Sequence, residues 1–460
     1  NMVAQIQKKL SDSAGARWAA VLIVSFTMMM GYFLTDVMSP LQDMLETPVA
    51  SGGFGLGWSS SEYGFFAGSY GLINVFLLML FFSGIILDKM GVRFTGVLAS
   101  SLMVIGAFIK FYSLQFITPD HTLSILGVDY KLQVWIASLG FAIFGVGCEM
   151  CGITVSKIIA KWFNGYSMAL AMGIQVGMAR LGTAGALGLS PIIAHHYNNV
   201  ASPVLFGVLL LVIGLLAFLV YVIMDTKLNK SIAALKSKEE EEEEGFKIKD
   251  LKAIFTNPGF WLIALLCLLF YSAVFPFLKF ATKLMIAKYN VNPDFAGMIP
   301  AILPFGTIFL TPIFGSIYDR IGKGATLMII GSVLLTAVHV CFALPILNTG
   351  AFAIVLMILL GIAFALVPSA MWPSMPKIIP MKQLGSAYAI TFYIQNIGLT
   401  LVPMLIGNVL QANTKNGSVN FTSTMWIFAS FGIASIVLAV ILRILDGKKH
   451  YGLEQANIKK

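Results

Sequence analysis

Eleven long stretches of this chain contain no Asp, Glu, Lys or Arg: residues 18–35, 63–87, 94–109, 132–148, 162–179, 181–224, 253–278, 295–318, 324–376, 383–414 and 416–442. About 20 mainly apolar residues are needed for a helix to cross a bilayer. Two of the runs are too long for one crossing. The run 324–376 divides at Asn348, Thr349 and Gly350. The run 181–224 completes the helix begun at 162–179, turns between Pro191 and Pro203, and holds one further span. Twelve membrane-spanning helices are therefore predicted. The first run is too long to read as a removable signal peptide and lacks a small-residue cleavage site.

Composition supports lipid as the solvent. Hydrophobic residues make up 58% of the chain and charged residues 11%, whereas soluble domains are about a quarter charged. The net charge of +9 reads as orientation and not as a nucleic-acid footprint. With both termini in the cytoplasm, most basic residues fall on the inner side, among them Lys89, Arg93, Lys157, Lys161, Arg320, Lys323, Lys377, Lys382 and those of the C-terminal tail. That is the asymmetry of the positive-inside rule. Lys110, Lys131, Lys279, Lys283, Lys288 and Lys415 remain toward the outer side. The four cysteines, Cys148, Cys151, Cys267 and Cys341, all fall in predicted spans. The Cys148/Cys151 pair has no nearby histidine, so two packed thiols are expected, with no metal and no cofactor.

The chain repeats itself. Gly84, Asp88 and Gly91 after the second span recur 231 residues later as Gly315, Asp319 and Gly322 after the eighth. Lys157, Gly165, Ala169, Ile174 and Gln175 recur 220 residues later as Lys377, Gly385, Ala389, Ile394 and Gln395. The offset changes between the third and fourth spans, where the first half has a long outer loop, residues 118–131, and the second a short one. Six spans followed by six in the same orientation predict an all-α membrane protein of two six-helix bundles, related by a pseudo-two-fold axis along the membrane normal. The expected units are residues 1–225 and 257–460. The segment 226–256 between them, with six consecutive glutamates at 239–244, reads as a solvated cytoplasmic linker.

The pattern Gly84-x-x-x-Asp88-Lys89-x-Gly91-x-Arg93, echoed by Gly315-x-x-x-Asp319-Arg320-x-Gly322, resembles the signature of the major facilitator superfamily. Gly84 and Gly315 permit close helix approach, and Gly91 and Gly322 permit a sharp turn. Asp88 and Asp319 can cap a helix or pair with a base across the seam between the halves. Together with Lys89, Arg93 and Arg320 they are the expected conformational gate.

A charge inside a membrane helix is costly and marks function by default. Away from the membrane edges the one acid is Glu149, in span four, and Arg180 lies at similar depth in span five. Their counterparts in the repeat, Ser369 and Thr400, are uncharged, so both charges are additions to one half. One reading is an internal salt bridge. Against it, a buried pair roughly breaks even after desolvation; an anion and a cation held apart would suit a zwitterion. Gln175 and Gln395 occupy equivalent places, followed by Asn396, and either line the cavity or bond between helices. Tyr271, Phe275 and Trp372 are candidate pocket walls. Lys279 and Lys283 are expected to snorkel outward, Asp36 is a gate or interfacial residue, and His339 a satisfied packing residue.

Segments 147–185, 271–285 and 370–400 resemble the lysosomal dipeptide transporter branch of that superfamily and its bacterial relatives. They combine Glu149, Met178-Ala179-Arg180, Phe275-Pro276 and Trp372-Pro373. The resemblance implies a transporter, not an enzyme, whose small-molecule substrate is a short peptide. Glu149 would receive the peptide amino terminus, Arg180 its carboxylate, and Trp372 would help wall the side chain. Protons are a candidate co-substrate, membrane lipid is the surroundings, and a functional monomer is expected. Residues 2–17 carry no leucine-based acidic sorting signal, so a bacterial cytoplasmic membrane is the expected location. Two rivals stay open: an organic-anion carrier using Arg180 for a carboxylate and Glu149 as a proton site, and a non-transporting receptor or scramblase.

Overall fold

A helix satisfies its own backbone hydrogen bonds, which a chain in lipid must do, and helices dominate the computed structural model. It describes residues 9–49, 55–235 and 246–458; the acidic run 239–244 lies outside the described residues. The first half comprises α1 (Ala14–Asp36), α2 (Gln42–Glu46), α3 (Ser60–Ser69), α4 (Leu72–Phe76), α5 (Met79–Phe116), α6 (Leu132–Trp162), α7 (Met168–Tyr197) and α8 (Ala201–Leu235). The second comprises α9 (Leu251–Phe255), α10 (Pro258–Ser272), α11 (Phe275–Tyr289), α12 (Met298–Ile321), α13 (Gly324–Ala343), α14 (Gly350–Ile378), α15 (Leu384–Ala412) and α16 (Thr422–Lys449). Two antiparallel hairpins complete the fold: β1 (Thr122–Ile125) with β2 (Val128–Lys131), and β3 (Thr414–Lys415) with β4 (Ser418–Val419).

Among the described residues eleven helices are long and apolar enough to cross a membrane. The twelfth is the second span, which is assembled from pieces. It runs as α3 and α4, breaks at Leu77 and Leu78, and resumes at Met79. Its end joins the third span at Gly91, whose φ of 82° and ψ of 173° divide α5 into two helices. Only glycine takes that conformation readily. The seventh span is likewise two helices, α10 and α11. Pro276 opens the second of them, where its missing N–H does no harm. The helix of the sixth span continues to Leu235. In α8 the most apolar window reaches a mean hydropathy of 3.0, yet only a third of it is buried. Such a surface requires lipid.

Both described chain ends lie on one face, called here the terminal face; the opposite face is distal. The halves meet tightly toward the distal face. A Cβ on Gly64 of α3 would stand 2.6 Å from the Cα of Gly407 in α15, so two glycines let these backbones touch. Gly297, before α12, meets the Leu187 carbonyl of α7 in the same way. On the terminal face the repeated loops stay apart. Among the described residues no neighbouring element comes within 4 Å of a Cβ built on Gly84 or Gly315, so these glycines border open space and not the helix contact expected of them. Asp88 pairs with Lys157 of its own half at 3.6 Å. Asp319 accepts from Asn457 Nδ2 at 2.8 Å, in the tail of its own half. Among the described residues neither aspartate pairs across the seam; on that side Phe81 meets Tyr393 at 5.2 Å. Arg93 reaches Asp225 at 3.3 Å, while Lys89 and Arg320 are exposed. Also on this face, the Tyr166 hydroxyl donates to Asp12 at 2.6 Å and thereby holds that carboxyl below its usual range.

Candidate substrate cavity between the halves

A cavity of about 470 Å³ lies between the two bundles. It is lined from the first half by Tyr32, Thr35 and Asp36 of α1, Tyr70 beside α3, Glu149 of α6, and Gln175 and Arg180 of α7. The second half contributes Tyr271, Phe275 and Lys279 from the broken seventh span, Trp372 of α14, and Phe392, Gln395 and Asn396 of α15. All seven residues singled out for substrate contact, Glu149, Gln175, Arg180, Tyr271, Trp372, Gln395 and Asn396, border this one space.

Glu149 and Arg180 come to the cavity because α6 and α7 are antiparallel neighbours joined by the turn at Gly165, with a φ of 84°. No ion pair joins them among the described residues. Instead Glu149 Oε1 accepts from the Tyr70 hydroxyl at 3.0 Å, and the Arg180 guanidinium lies 4.7 Å from the centre of the Phe364 ring. Tyr32 borders the same space. The internal-lock reading therefore lacks its contact.

The opposite wall is aromatic. Trp372 Nε1 donates to the Tyr271 hydroxyl at 2.9 Å, and its ring stacks on Phe392 at 4.9 Å. Tyr271 stacks on Phe275 at 5.5 Å. The Tyr388 hydroxyl donates to the Trp372 carbonyl at 3.1 Å. These bonds fix the faces a side chain would meet. Asn396 Nδ2 bonds within its helix to the Phe392 carbonyl at 2.8 Å, while its buried Oδ1 has no partner among the described residues.

The distal end of the cavity corrects one expectation. Lys279 and Lys283 do not snorkel outward; both turn across the seam to carboxylates of the first half. Lys279 Nζ donates to Asp36 Oδ1 at 2.9 Å and to the Thr35 carbonyl at 3.1 Å. Lys283 pairs with Glu46, and the Tyr63 hydroxyl donates to the Lys279 carbonyl. All four charged side chains are mostly buried, where an acidic partner relieves a cost that reaching toward water would otherwise relieve. His195 and Asp294, 3.0 Å apart, form a further cross-seam contact. Lys110 is a further buried charge near this end. Placed toward the outer side by the sequence, it is fully buried there, donating to the Leu34 carbonyl at 2.9 Å above the Phe141 ring.

Tyr32, Tyr70, Asp36 and Lys279 were not recognised as cavity residues from the sequence. One signal existed: Tyr271, Phe275, Lys279 and Lys283 follow at four-residue steps, which places them along one side of the span. Among the described residues no group of three or more His, Cys, Asp or Glu side chains converges.

This chain belongs to the Major Facilitator Superfamily, whose family profile matches residues 21–403 and again 277–457. It is a multi-pass membrane transporter of a small-molecule substrate and not an enzyme. It is similar to the "Lysosomal dipeptide transporter MFSD1" of Bos taurus, 25% identical over 344 residues, or 73% of this chain and 68% of the relative. The protein of the same name from Homo sapiens is 24% identical over 391 residues, 82% of this chain and 78% of the relative. Among solved structures the nucleoside transporter NupG superposes with a TM-score of 0.67 at 16% identity, covering 94% of this chain and 98% of that one. That likeness speaks for the fold alone.

Proposed function

We propose that this transporter carries short peptides, chiefly dipeptides, by alternating access. One observation carries the reading: Glu149 and Arg180 border the same cavity without an ion pair between them, whereas its other two charges, Asp36 and Lys279, are paired with each other. A zwitterion brings a charge to each. Glu149 receives the ammonium and Arg180 the carboxylate; Gln175, Gln395 and Asn396 offer amide groups to the peptide backbone, and Tyr271 with Trp372 walls the side chain. The names of the relatives support the same substrate class. The units 1–225 and 257–460 rock about the cavity, joined by 226–256, with Asp88 and its neighbours acting on the exchange. The protein works as a monomer among membrane lipids. The bias of basic residues toward the terminal face supports cytoplasmic termini, in a bacterial inner membrane. Proton coupling is a separate question, read by uptake with and without a pH gradient.

The test is competition uptake into proteoliposomes with free and capped Ala-Ala. Charge-assisted hydrogen bonds are worth roughly 1.5–3 kcal/mol, so losing one weakens binding by roughly ten- to more than a hundredfold. Glu149→Gln should impair free dipeptides far more than N-acetylated ones. Arg180→Ala should impair free dipeptides more than C-amidated ones. Equal loss of capped and uncapped ligands in both variants would refute the peptide reading, and competition by small carboxylates alone would favour an organic-anion carrier.

A further inference from the structure

The break in span seven leaves a backbone carbonyl without its helical donor. In an unbroken helix the Phe277 N–H would bond to the Ala273 carbonyl, but here the turn at Ala273 and Val274 separates α10 from α11, and Leu278 N is the first to reach back, to Val274 O at 3.0 Å. The Ala273 carbonyl is met from another span. His339 of α13 places Nε2 at 2.8 Å from it, and because a carbonyl only accepts, Nε2 carries the proton. His339 is fully buried. Its ring is edge-on to Phe277 at 5.0 Å and stacked on Phe428 at 5.6 Å, and its Nδ1 has no partner among the described residues. It does not border the cavity.

We propose that His339 is a positioning residue of the transport cycle, a peg that holds the hinge of span seven by donating Nε2–H to the Ala273 carbonyl. The hinge joins two pieces with different tasks. Tyr271, on the α10 side, belongs to the cavity wall. Beyond the break, α11 carries Phe275 into the same wall and then Lys279 and Lys283 into the distal seal. The angle at Ala273 therefore sets where the wall stands relative to the seal. A ring clamped between Phe277 and Phe428 holds that angle from behind the span, away from the substrate. Without the donor a buried carbonyl is left bare, and the break can resolve in other geometries. Occupancy of the cavity is then less firmly tied to closure of the seam.

Two substitutions separate the hydrogen bond from packing. His339→Phe keeps an aromatic ring and removes the donor; His339→Gln removes the ring and keeps a donor. Each is measured for turnover and for dipeptide binding. Each is also measured for the spin-label distance between L126C and K415C, at exposed positions on the two distal hairpins. H339F should lower turnover about tenfold, with a much smaller change in equilibrium binding, and broaden the distance distribution; H339Q should restore most of both. Wild-type turnover and distances in H339F, or equal damage in both variants, would overturn the proposal. Should either variant fail to fold, the wild-type protein labelled with 15N-histidine still decides. A neutral ring protonated at Nε2 at position 339 supports the peg, and protonation at Nδ1 overturns it. The inference rests on the dipeptide reading only for the ligand. If wild type takes up no dipeptide, that reading fails while the distances and the nitrogen spectrum still judge the hinge.

Discussion

At Glu149 the neighbour that matters is Tyr70. A carboxylate in a membrane cavity must be met by donors, and the Tyr70 hydroxyl supplies one at 3.0 Å, fixing the orientation of the group. Tyr70→Phe is expected to weaken binding of free dipeptides by about tenfold and to leave N-acetylated dipeptides little changed. Competition uptake reads both, and an equal effect on the two ligands would make Tyr70 a packing residue. Glu149 and Arg180 stand out in the sequence because a charge in an apolar run is expensive wherever the helix packs. Tyr70 and Tyr32 do not, because tyrosine is common in membrane helices and nothing in its spacing says which way it faces. The Asp36–Lys279 pair spans 243 positions of sequence, and its existence depends on how the halves dock.

The elements that seal the distal face do so by backbone approach and by buried charge. Gly64 and Gly407 let α3 and α15 touch, and a side chain at either site would meet backbone. Gly407→Val should therefore wedge the seam and raise labelling of a cysteine introduced at the distal end of the cavity; unchanged labelling would mean that the contact is incidental. The ion pairs act differently. Removing one partner of a buried pair leaves the other charge bare, at a cost of about 3–5 kcal/mol. Asp36→Asn and Lys279→Met should each shift the population toward distal opening, and the exchange of Asp36→Lys with Lys279→Asp should recover part of the closure. Distances between spin labels on the two distal hairpins measure all three. Span boundaries were legible here because apolar runs end where charges begin. The breaks in spans two and seven were not, since residues 63–87 and 253–278 carry no charge anywhere along their length, and only packing shows where a helix is cut.

Across the whole molecule the repeat is a shared scaffold with unequal decoration. The offsets of 231 and 220 residues reveal the scaffold in the sequence, but not what the tail does to it. In the first half Asp88 and Lys157 are exposed, and Gly91 borders open space. In the second half the tail covers the corresponding loop. Lys323 and Gly324 donate backbone N–H groups to the Glu454 and Leu453 carbonyls at 3.0 and 2.9 Å, and Thr326 bonds both Glu454 carboxylate oxygens. Lys377, the counterpart of Lys157, donates to Tyr318 and to two tail carbonyls. A Cβ at Gly322 would stand 2.5 Å from the Gln455 carbonyl carbon, so glycine is needed there for space as well as for its φ of 79°. One copy is free to engage the other half, and the second is already engaged. An exposed pair such as Asp88–Lys157 is worth less than about 1 kcal/mol, so Asp88→Asn should leave thermal stability unchanged, keep equilibrium binding within a few fold, and slow transport. Removal of residues 451–460 should instead lower stability, by roughly 1–3 kcal/mol for each buried polar group left unsatisfied, while Asp319→Asn, whose Oδ1 still accepts from Asn457 in an exposed bond, should leave stability and turnover near those of the wild type. Turnover, binding and melting temperature measured on the three variants separate these outcomes. Loss of binding in Asp88→Asn would place that loop in substrate contact. A slowed but fully stable Asp319→Asn would restore the symmetric gate, with both copies acting alike.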